Sequence, residues 1–318
     1  MSNIIFPSGY IVDFYNFDLE LFKYRVSEWD LESDQLGKGK LSVNLRVVHT
    51  PRIQLANTQI TQAYMSQGSF PDGGIMLFYV SSKSIINIQN RSPEPREVAI
   101  FTKNDEVDFL TSASIDAFTI VIEEELFHKE FYAFFGDTPD LSLQKKRFYL
   151  KQDKVLLYQQ TVTSWISYLA KEFPKLTIKP EYDKMESEIV RQLFDCLVPA
   201  PSLRKREKFQ TKAVRDLLQE NMDQYIDISF IINELDISES QLHQAFKKEY
   251  GITPKRYLNQ LRFNAIKREL LFSDPNSITI ANIARKYNFF EMGHFSAQYK
   301  KIFGETPSQT LRHNKGHL

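Results

Sequence analysis

The sequence holds a single cysteine, Cys196, among its 318 residues, so no intramolecular disulfide is available to it. Cys196 sits in the apolar helical pattern Ile189, Leu193, Leu197, with no histidine or second thiol beside it. It is read as small core filler rather than as a redox or metal group. Long apolar runs are missing too. The longest, Gly74 to Val80 and Phe118 to Ile122, fall far short of the roughly 20 residues that span a bilayer, so neither a transmembrane helix nor a membrane partner is expected. Met1 to Tyr10 lack the basic start and apolar stretch of a secretory signal, and a cytoplasmic location is expected. Histidines before residue 243 number only His49 and His128, with no His-x-His pair to join a carboxylate around a metal. Neither a Gly-x-Ser-x-Gly elbow nor a Gly-rich phosphate cradle ahead of a helix is present. The expectation is therefore no enzyme, no cofactor and no bound metal. A metal-free barrel catalyst fused to a second module is the alternative, and turnover of whatever it binds would separate the two.

The formal net charge is zero, but it is unevenly spread. Residues 204 to 318 carry 19 Lys and Arg against 13 Asp and Glu, or +6, and the remainder carries 21 against 27, or −6. A basic segment points toward an anionic partner. Charge alone leaves chance clustering of solvated side chains equally open.

At this length two domains are the default. From Leu41 to Ile122 short β-type segments such as Leu41-Ser-Val-Asn-Leu-Arg-Val-Val48, Ile75-Met-Leu-Phe-Tyr-Val80 and Phe118-Thr-Ile-Val-Ile122 alternate with turn clusters such as Ser69-Phe-Pro-Asp-Gly-Gly74. They predict an antiparallel sheet or small barrel. After Glu123 the period becomes helical, giving helices over roughly 153–171 and 181–198, with Pro174 and Pro180 between them. Their apolar faces would serve equally to pack on the barrel or on a second subunit. Tyr64, Phe78, Tyr79 and Phe101 are read as core in preference to pocket lining, as are Trp29 and Arg46, and His49 is read as structural. Val198-Pro-Ala-Pro-Ser-Leu-Arg-Lys-Arg-Glu-Lys208 resembles a linker. The boundary is placed near residue 203, dividing the chain into 1–203 and 204–318.

Beyond that linker the chain repeats itself. Phe246-Lys-Lys-Glu-Tyr-Gly-Ile-Thr-Pro254 returns as Tyr299-Lys-Lys-Ile-Phe-Gly-Glu-Thr-Pro307 at an offset of 53, and Ile231 to Asp236 returns as Ile283 to Asn288 at an offset of 52. One extra residue thus falls in a turn of the second copy. In the first copy a short helix over 228–235 is followed by a turn and by Ser238, which suits the cap of a second helix. That helix buries Leu242, Ala245, Phe246 and Tyr250, turning Ser240, Gln241, His243, Gln244 and Lys247 outward. Gly251 ends it, Thr253 caps the next helix and Pro254 opens a long strut to about Leu271. In the second copy 279–287 makes the first helix and Phe295, Tyr299 and Phe303 the buried stripe of the next, with Met292, Gly293, His294, Ser296, Ala297 and Lys300 facing out or flanking the exposed surface. Two short helices joined by a tight turn, the second showing small polar side chains, are what a duplex major groove admits.

Ile283-Ala284, Phe295-Ser296, Tyr299-Lys300 and Gly304-Glu-Thr-Pro-Ser308 bring residues 205–314 to resemble the AraC/XylS DNA-binding domain. The glycine usual in each turn is Asp236 in one copy and Asn288 in the other, both tolerant of a left-handed backbone. The resemblance implies double-stranded DNA as partner, RNA polymerase as a second one, and activation in preference to repression in a bacterial regulator. It implies base reading by Ser240, His243 and Gln244 in the first unit and by Met292, Gly293 and Ala297 in the second, with Ser238, Gln241, Lys247, His294, Ser296 and Lys300 completing the surface. Asp34-Gln-Leu-Gly-Lys-Gly39, Pro51-Arg-Ile-Gln-Leu55 and the Gly68 to Gly74 turn are similar to a subgroup with a cupin-like sensor, which leaves a small-molecule effector and a homodimer open. The fold class expected is α+β: a β-rich cupin-like domain with following helices, then an all-α domain with two helix-turn-helix units.

Overall fold

The computed structural model describes residues 6, 11–17, 29–81, 84–89, 91–103, 105–139, 141, 147–172, 179–199, 211–223, 228–235, 237–274 and 278–313. Its β part contains β1 (Ile11–Phe17), β2 (Asp30–Gln35), β3 (Val43–His49), β4 (Ile53–Ile60), β5 (Tyr64–Ser69), β6 (Gly74–Val80), β7 (Ile85–Ile88), β8 (Glu97–Phe101), β9 (Val107–Thr111) and β10 (Ile115–Glu123), with β11 (Arg147–Leu150) and β12 (Leu197–Pro199) arriving later. All pair antiparallel, in a larger sheet ordered β1-β3-β4-β10-β6-β8-β11-β12 and a smaller one ordered β2-β5-β9-β7. The strands therefore begin before Leu41 and resume after Ile122. β1, β2, β11 and β12 lie outside the predicted β region, and β12 takes up the start of the expected linker.

The run Gly74 to Val80 is apolar throughout because both its faces are covered, as in any strand buried on two sides. Ile75, Leu77 and Tyr79 face a core shared with the helices, while Met76 and Phe78 face the smaller sheet. Behind the larger sheet lie α1 (Glu124–Phe135), α2 (Val155–Glu172) and α3 (Lys179–Asp195). The α1 helix starts where the Glu123 carboxylate accepts from the Leu126 amide at 2.7 Å and stops at Gly136, whose φ of 74° is left-handed. The α3 helix ends at Asp195, short of the predicted 198, because the chain turns there into β12. Pro180 is tolerated in its first turn. Pro174 lies outside the described residues. Cys196 is buried in this core, as filler.

The rest is helical: α4 (Thr211–Glu220), α5 (Ile228–Leu235), α6 (Glu239–Tyr250), α7 (Pro254–Phe272), α8 (Ile280–Lys286), α9 (Met292–Phe303) and α10 (Pro307–His313). The expected boundary at residue 203 lies outside the described residues. No helix among those described is long and apolar enough to cross a membrane.

Candidate nucleic-acid interface

Two similar units are built around α7. In the first, α5 and α6 meet through Ile231, Leu242 and Phe246, all fully buried together with Val214 and Leu218 of α4. Burying side chains of this size contributes about 1.5–3 kcal/mol each. In the second, α8 and α9 meet through Ile283, Phe295, Tyr299 and Phe303, against Phe263 and Ile266 of the strut. The repeated Gly-x-Thr-Pro serves both copies alike. Gly251 and Gly304 have φ of 70° and 78°, and each threonine then caps the next helix. The Thr253 hydroxyl accepts from the Arg256 amide at 3.3 Å and that of Thr306 from the Gln309 amide at 3.3 Å. The turn of the second unit passes through Asn288 with φ of 68°, the left-handed residue that replaces glycine there. Asp236, its counterpart, lies outside the described residues.

The expected surface residues fall as follows. Ser238 precedes α6, where its carbonyl accepts the Leu242 amide at 2.9 Å. Ser238, Ser240, Gln244 and Lys247 are exposed, and His243 is half-exposed within 3.9 Å of Glu239 one turn earlier. The Gln241 side chain lies outside the described residues. On α9, Gly293, His294, Ala297 and Lys300 are exposed, and His294 lies 3.0 Å from the Gln298 amide nitrogen. Ser296 is half-buried, and Met292 is half-buried against the core of its unit, flanking the surface rather than projecting from it. Lys255, Arg256, Arg285 and Lys301 are exposed as well, around the same helices.

What sequence reasoning missed is the surface on which this helical part sits. The outer side of β2, β5 and β9 is covered by α4 and α7. Leu36, Met65 and Leu110 join the core of the first unit. Arg215 of α4 places Nη1 at 2.7 and 2.8 Å from the two Asp108 carboxylate oxygens, with both residues buried. Arg268 pairs with buried Asp34 at 2.8 Å. Burial raises the Asp34 pKa, and Arg268 opposes that rise. The Gln35 amide donates to Asn264 Oδ1 at 3.1 Å, Asn264 Nδ2 returns a bond to the Gln35 carbonyl at 3.0 Å, and Gln260 donates to the Leu36 carbonyl at 3.0 Å. Gln35 Nε2 then reaches the Ile302 carbonyl of the second unit at 2.7 Å. One turn after β2 the contact continues: Gly39 N donates to the Ile302 carbonyl at 2.9 Å, and a Cβ on Gly304 would stand 3.1 Å from Lys40 N. The signal was present in Gln260 and Asn264, amides in the middle of a strut whose flanks are apolar, but nothing in the sequence names their partners.

Inside the β part, Tyr64, Phe78 and Phe101 line a cavity between the sheets together with Trp29, whereas Tyr79 packs on the helical side. Arg46 is 3.8 Å from Asp13 on the neighbouring strand. His49 is buried beneath Phe6, with ring centroids 4.8 Å apart, and burial lowers its pKa to about 4.

A family described as a helix-turn-helix domain matches residues 231–313. The chain is similar to the XylDLEGF operon transcriptional activator 3 of Pseudomonas putida, 34% identical over 104 residues, which are 32% of this chain and 31% of that protein. It is similar to the HTH-type transcriptional activator RhaS of Pectobacterium atrosepticum, 33% identical over 107 residues, 34% of this chain and 37% of that protein. The matches thus span about a third of the length of these relatives. Among solved structures, a probable AraC family transcriptional regulator from Rhodopseudomonas palustris is 26% identical, covering 33% of this chain and 95% of that one with a TM-score of 0.31. ToxT from Vibrio cholerae covers 92% of this chain and 100% of its own at 14% identity and a TM-score of 0.32, too low to carry an argument about arrangement.

Proposed function

We propose that this chain, whose residues 231–313 belong to the AraC/XylS family of helix-turn-helix domains, is a sequence-specific DNA-binding transcription regulator, an activator in preference to a repressor. The observation that carries this is the pair of helices α6 and α9. Each is the second helix of its unit, each leaves a polar or small-residue face exposed, and both are mounted on one strut. The β part touches both helices, α6 beside β7 and α9 at the Ile302 carbonyl, yet Ser240, Gln244 and Lys247 on the first and Gly293, His294, Ala297 and Lys300 on the second stay exposed. The domains proposed are 1–203, a sensing or dimerisation part, and 204–318, the DNA-binding part.

Base reading is assigned chiefly to Ser240, His243 and Gln244, which offer hydrogen-bonding groups to base edges. The matching positions of α9, Met292, Gly293 and Ala297, offer no long hydrogen-bonding side chain, so the second unit with Lys300 and Lys301 mainly holds phosphates. Ser238, Gln241, Lys247, His294 and Ser296 complete the surface. The same reading makes it a cytoplasmic regulator that contacts RNA polymerase and catalyses no reaction; the names of the relatives carry the transcriptional role alone. A homodimer would use the outer stripe of α2, where Leu156, Leu157 and Tyr168 are exposed. A small-molecule effector would occupy the cavity between the sheets.

The test is to incubate the full chain with sheared genomic DNA, recover and sequence what it retains, and repeat this with His243→Ala/Gln244→Ala. One recurring site, with preference relaxed in the double variant, is the expected result. Retention without any recurring site overturns sequence-specific recognition, and unchanged preference in the variant overturns the assignment of the readers.

A further inference from the structure

The two sheets of the β part are not backed alike. The larger one has α1, α2 and α3 packed on its outer face through a continuous apolar core. Among the described residues, the smaller one has the helix-turn-helix part on its outer face. Along its strands the residues alternate between the two sides, as the pleat requires. Ser33 of β2, Tyr64 and Ser66 of β5 and Val107 and Phe109 of β9 line the cavity. Their neighbours Asp34, Met65, Gln67 and Asp108 hold Arg268, Tyr257, Gln219 and Arg215. A wall of the cavity and the seat of the DNA-binding part are therefore two faces of one thin sheet.

The cavity itself is apolar and small, about 60 Å³. Among its described lining residues there is no Asp, Glu, Lys, Arg or His. Two pairs of polar groups there bond to each other: the Ser33 and Ser66 hydroxyls lie 2.9 Å apart, and the Trp29 indole donates at 2.9 Å to Gln54, whose amide in turn meets His49 behind it. A charged ligand group would enter with no countercharge to offset its lost hydration, whereas one hydroxyl or carbonyl would be met by the serine pair. A single six-membered ring needs a cavity of about 150 Å³, so an occupant of that size must push a wall outward. The larger sheet is backed by the larger packed core, of low compressibility, and the smaller sheet by the smaller core it shares with the first helix-turn-helix unit, so the smaller sheet is the wall that yields first.

Building on the proposed sensor role, we propose that the cavity takes a small uncharged, mainly apolar molecule with at most one or two hydrogen-bonding groups. Its entry displaces β2, β5 and β9 and so shifts the seat of the two helix-turn-helix units. The ligand acts because it binds the displaced sheet better than the closed one.

The test uses the full chain carrying Trp165→Phe, which leaves Trp29, in the cavity lining, as the only tryptophan. Cyclohexanol and cyclohexanecarboxylate share a ring, differ in charge and do not absorb where indole does. Titration with cyclohexanol is expected to change Trp29 emission saturably, with at least about ten-fold weaker binding of the carboxylate. Ala117→Leu, which fills the cavity from the larger sheet, should abolish the response while circular dichroism shows the fold retained. Hydrogen exchange of the bound protein should rise along β2, β5 and β9 and in α4 and α7. No saturable response, equal binding of the carboxylate, or a response that survives Ala117→Leu overturns the ligand class. Binding that leaves exchange in α4 and α7 unchanged overturns the coupling. Recovery of genomic sites by the same protein reports separately on the regulator, so a failure there leaves the cavity result standing and the reverse holds as well.

Discussion

Removing the Arg215 side chain is the sharpest way to ask whether the helical part is seated on the small sheet in solution. Arg215 and Asp108 are 1% and 4% exposed, and Nη1 of the arginine spans both carboxylate oxygens at 2.7 and 2.8 Å. Burial opposes the charge on the guanidinium, Asp108 favours it, and the balance lies above the ordinary arginine value. Arg215→Ala therefore strands a carboxylate in a site closed to water, at a cost of about 3–5 kcal/mol. The seam opens if that cost exceeds what its other contacts contribute. Most of the loss comes from the unpaired charge rather than from the missing attraction, so Asp108→Asn in the same chain should recover much of it. Urea unfolding of the wild type, both single variants and the double variant closes the cycle, and hydrogen exchange along β9 and α4 reports the seam directly. A loss below about 1 kcal/mol for Arg215→Ala, the size of an exposed ion pair, with exchange unchanged would refute the buried seam.

Gln35→Ala takes one side-chain donor from the part-buried Gly37 and Gly39 carbonyls and from the Ile302 carbonyl, which keeps the Gly39 amide; each bond lost costs about 1 kcal/mol. The expected readout is a broadened tolerance for the distance between half-sites in duplexes of varied spacing, with affinity for a single half-site unchanged. His49 is buried, with its pKa lowered from 6.5 to about 4 by burial. Folding favours the neutral ring, so its contribution is complete above pH 6.5 and is lost as the pH falls toward 4. It amounts to about 3 kcal/mol, and a stability profile in His49→Gln that loses no slope over that window would count against it. Lys300→Ala and Lys301→Ala should each lower the slope of log affinity against log salt by up to about 0.9, measured by titration of a duplex at several salt concentrations. An unchanged slope in both would remove these lysines from the phosphate contacts.

The helix-turn-helix units were legible because a repeat records the same local physics twice. Gly251 and Gly304 end helices, Thr253 and Thr306 cap them, and the buried aromatic stripe recurs in register. The larger sheet was legible for a related reason, since strands covered on both faces read as apolar runs. The strand β2 was not. Its sequence Asp30-Leu-Glu-Ser-Asp-Gln35 reads as a polar loop because Asp34 and Gln35 find their partners in Arg268, Asn264 and Ile302, more than 220 residues onward, and no local pattern encodes a partner at that distance. β12 escaped for a different reason. It is a three-residue edge strand containing proline, which edge positions tolerate and which composition alone assigns to a linker.

The same long-range contacts bear on how DNA would be read. The strut α7 has 19 residues, about 28 Å at the helical rise, somewhat less than the roughly 34 Å between successive major-groove faces of a duplex. Its length alone therefore underdetermines the reach of the two units, and their tilt about the strut must supply the remainder. The small sheet touches the first unit through Leu36, Met65 and Leu110 and the second through Gln35 and Gly39 at the Ile302 carbonyl. It meets the strut between them at Gln260 and Asn264. A body bonded to both units and to their connector constrains the angle that the connector leaves free. On the proposed reading, regulation need not cover α6 and α9, whose outer faces stay exposed; a tilt at this seat would carry one of them away from its groove.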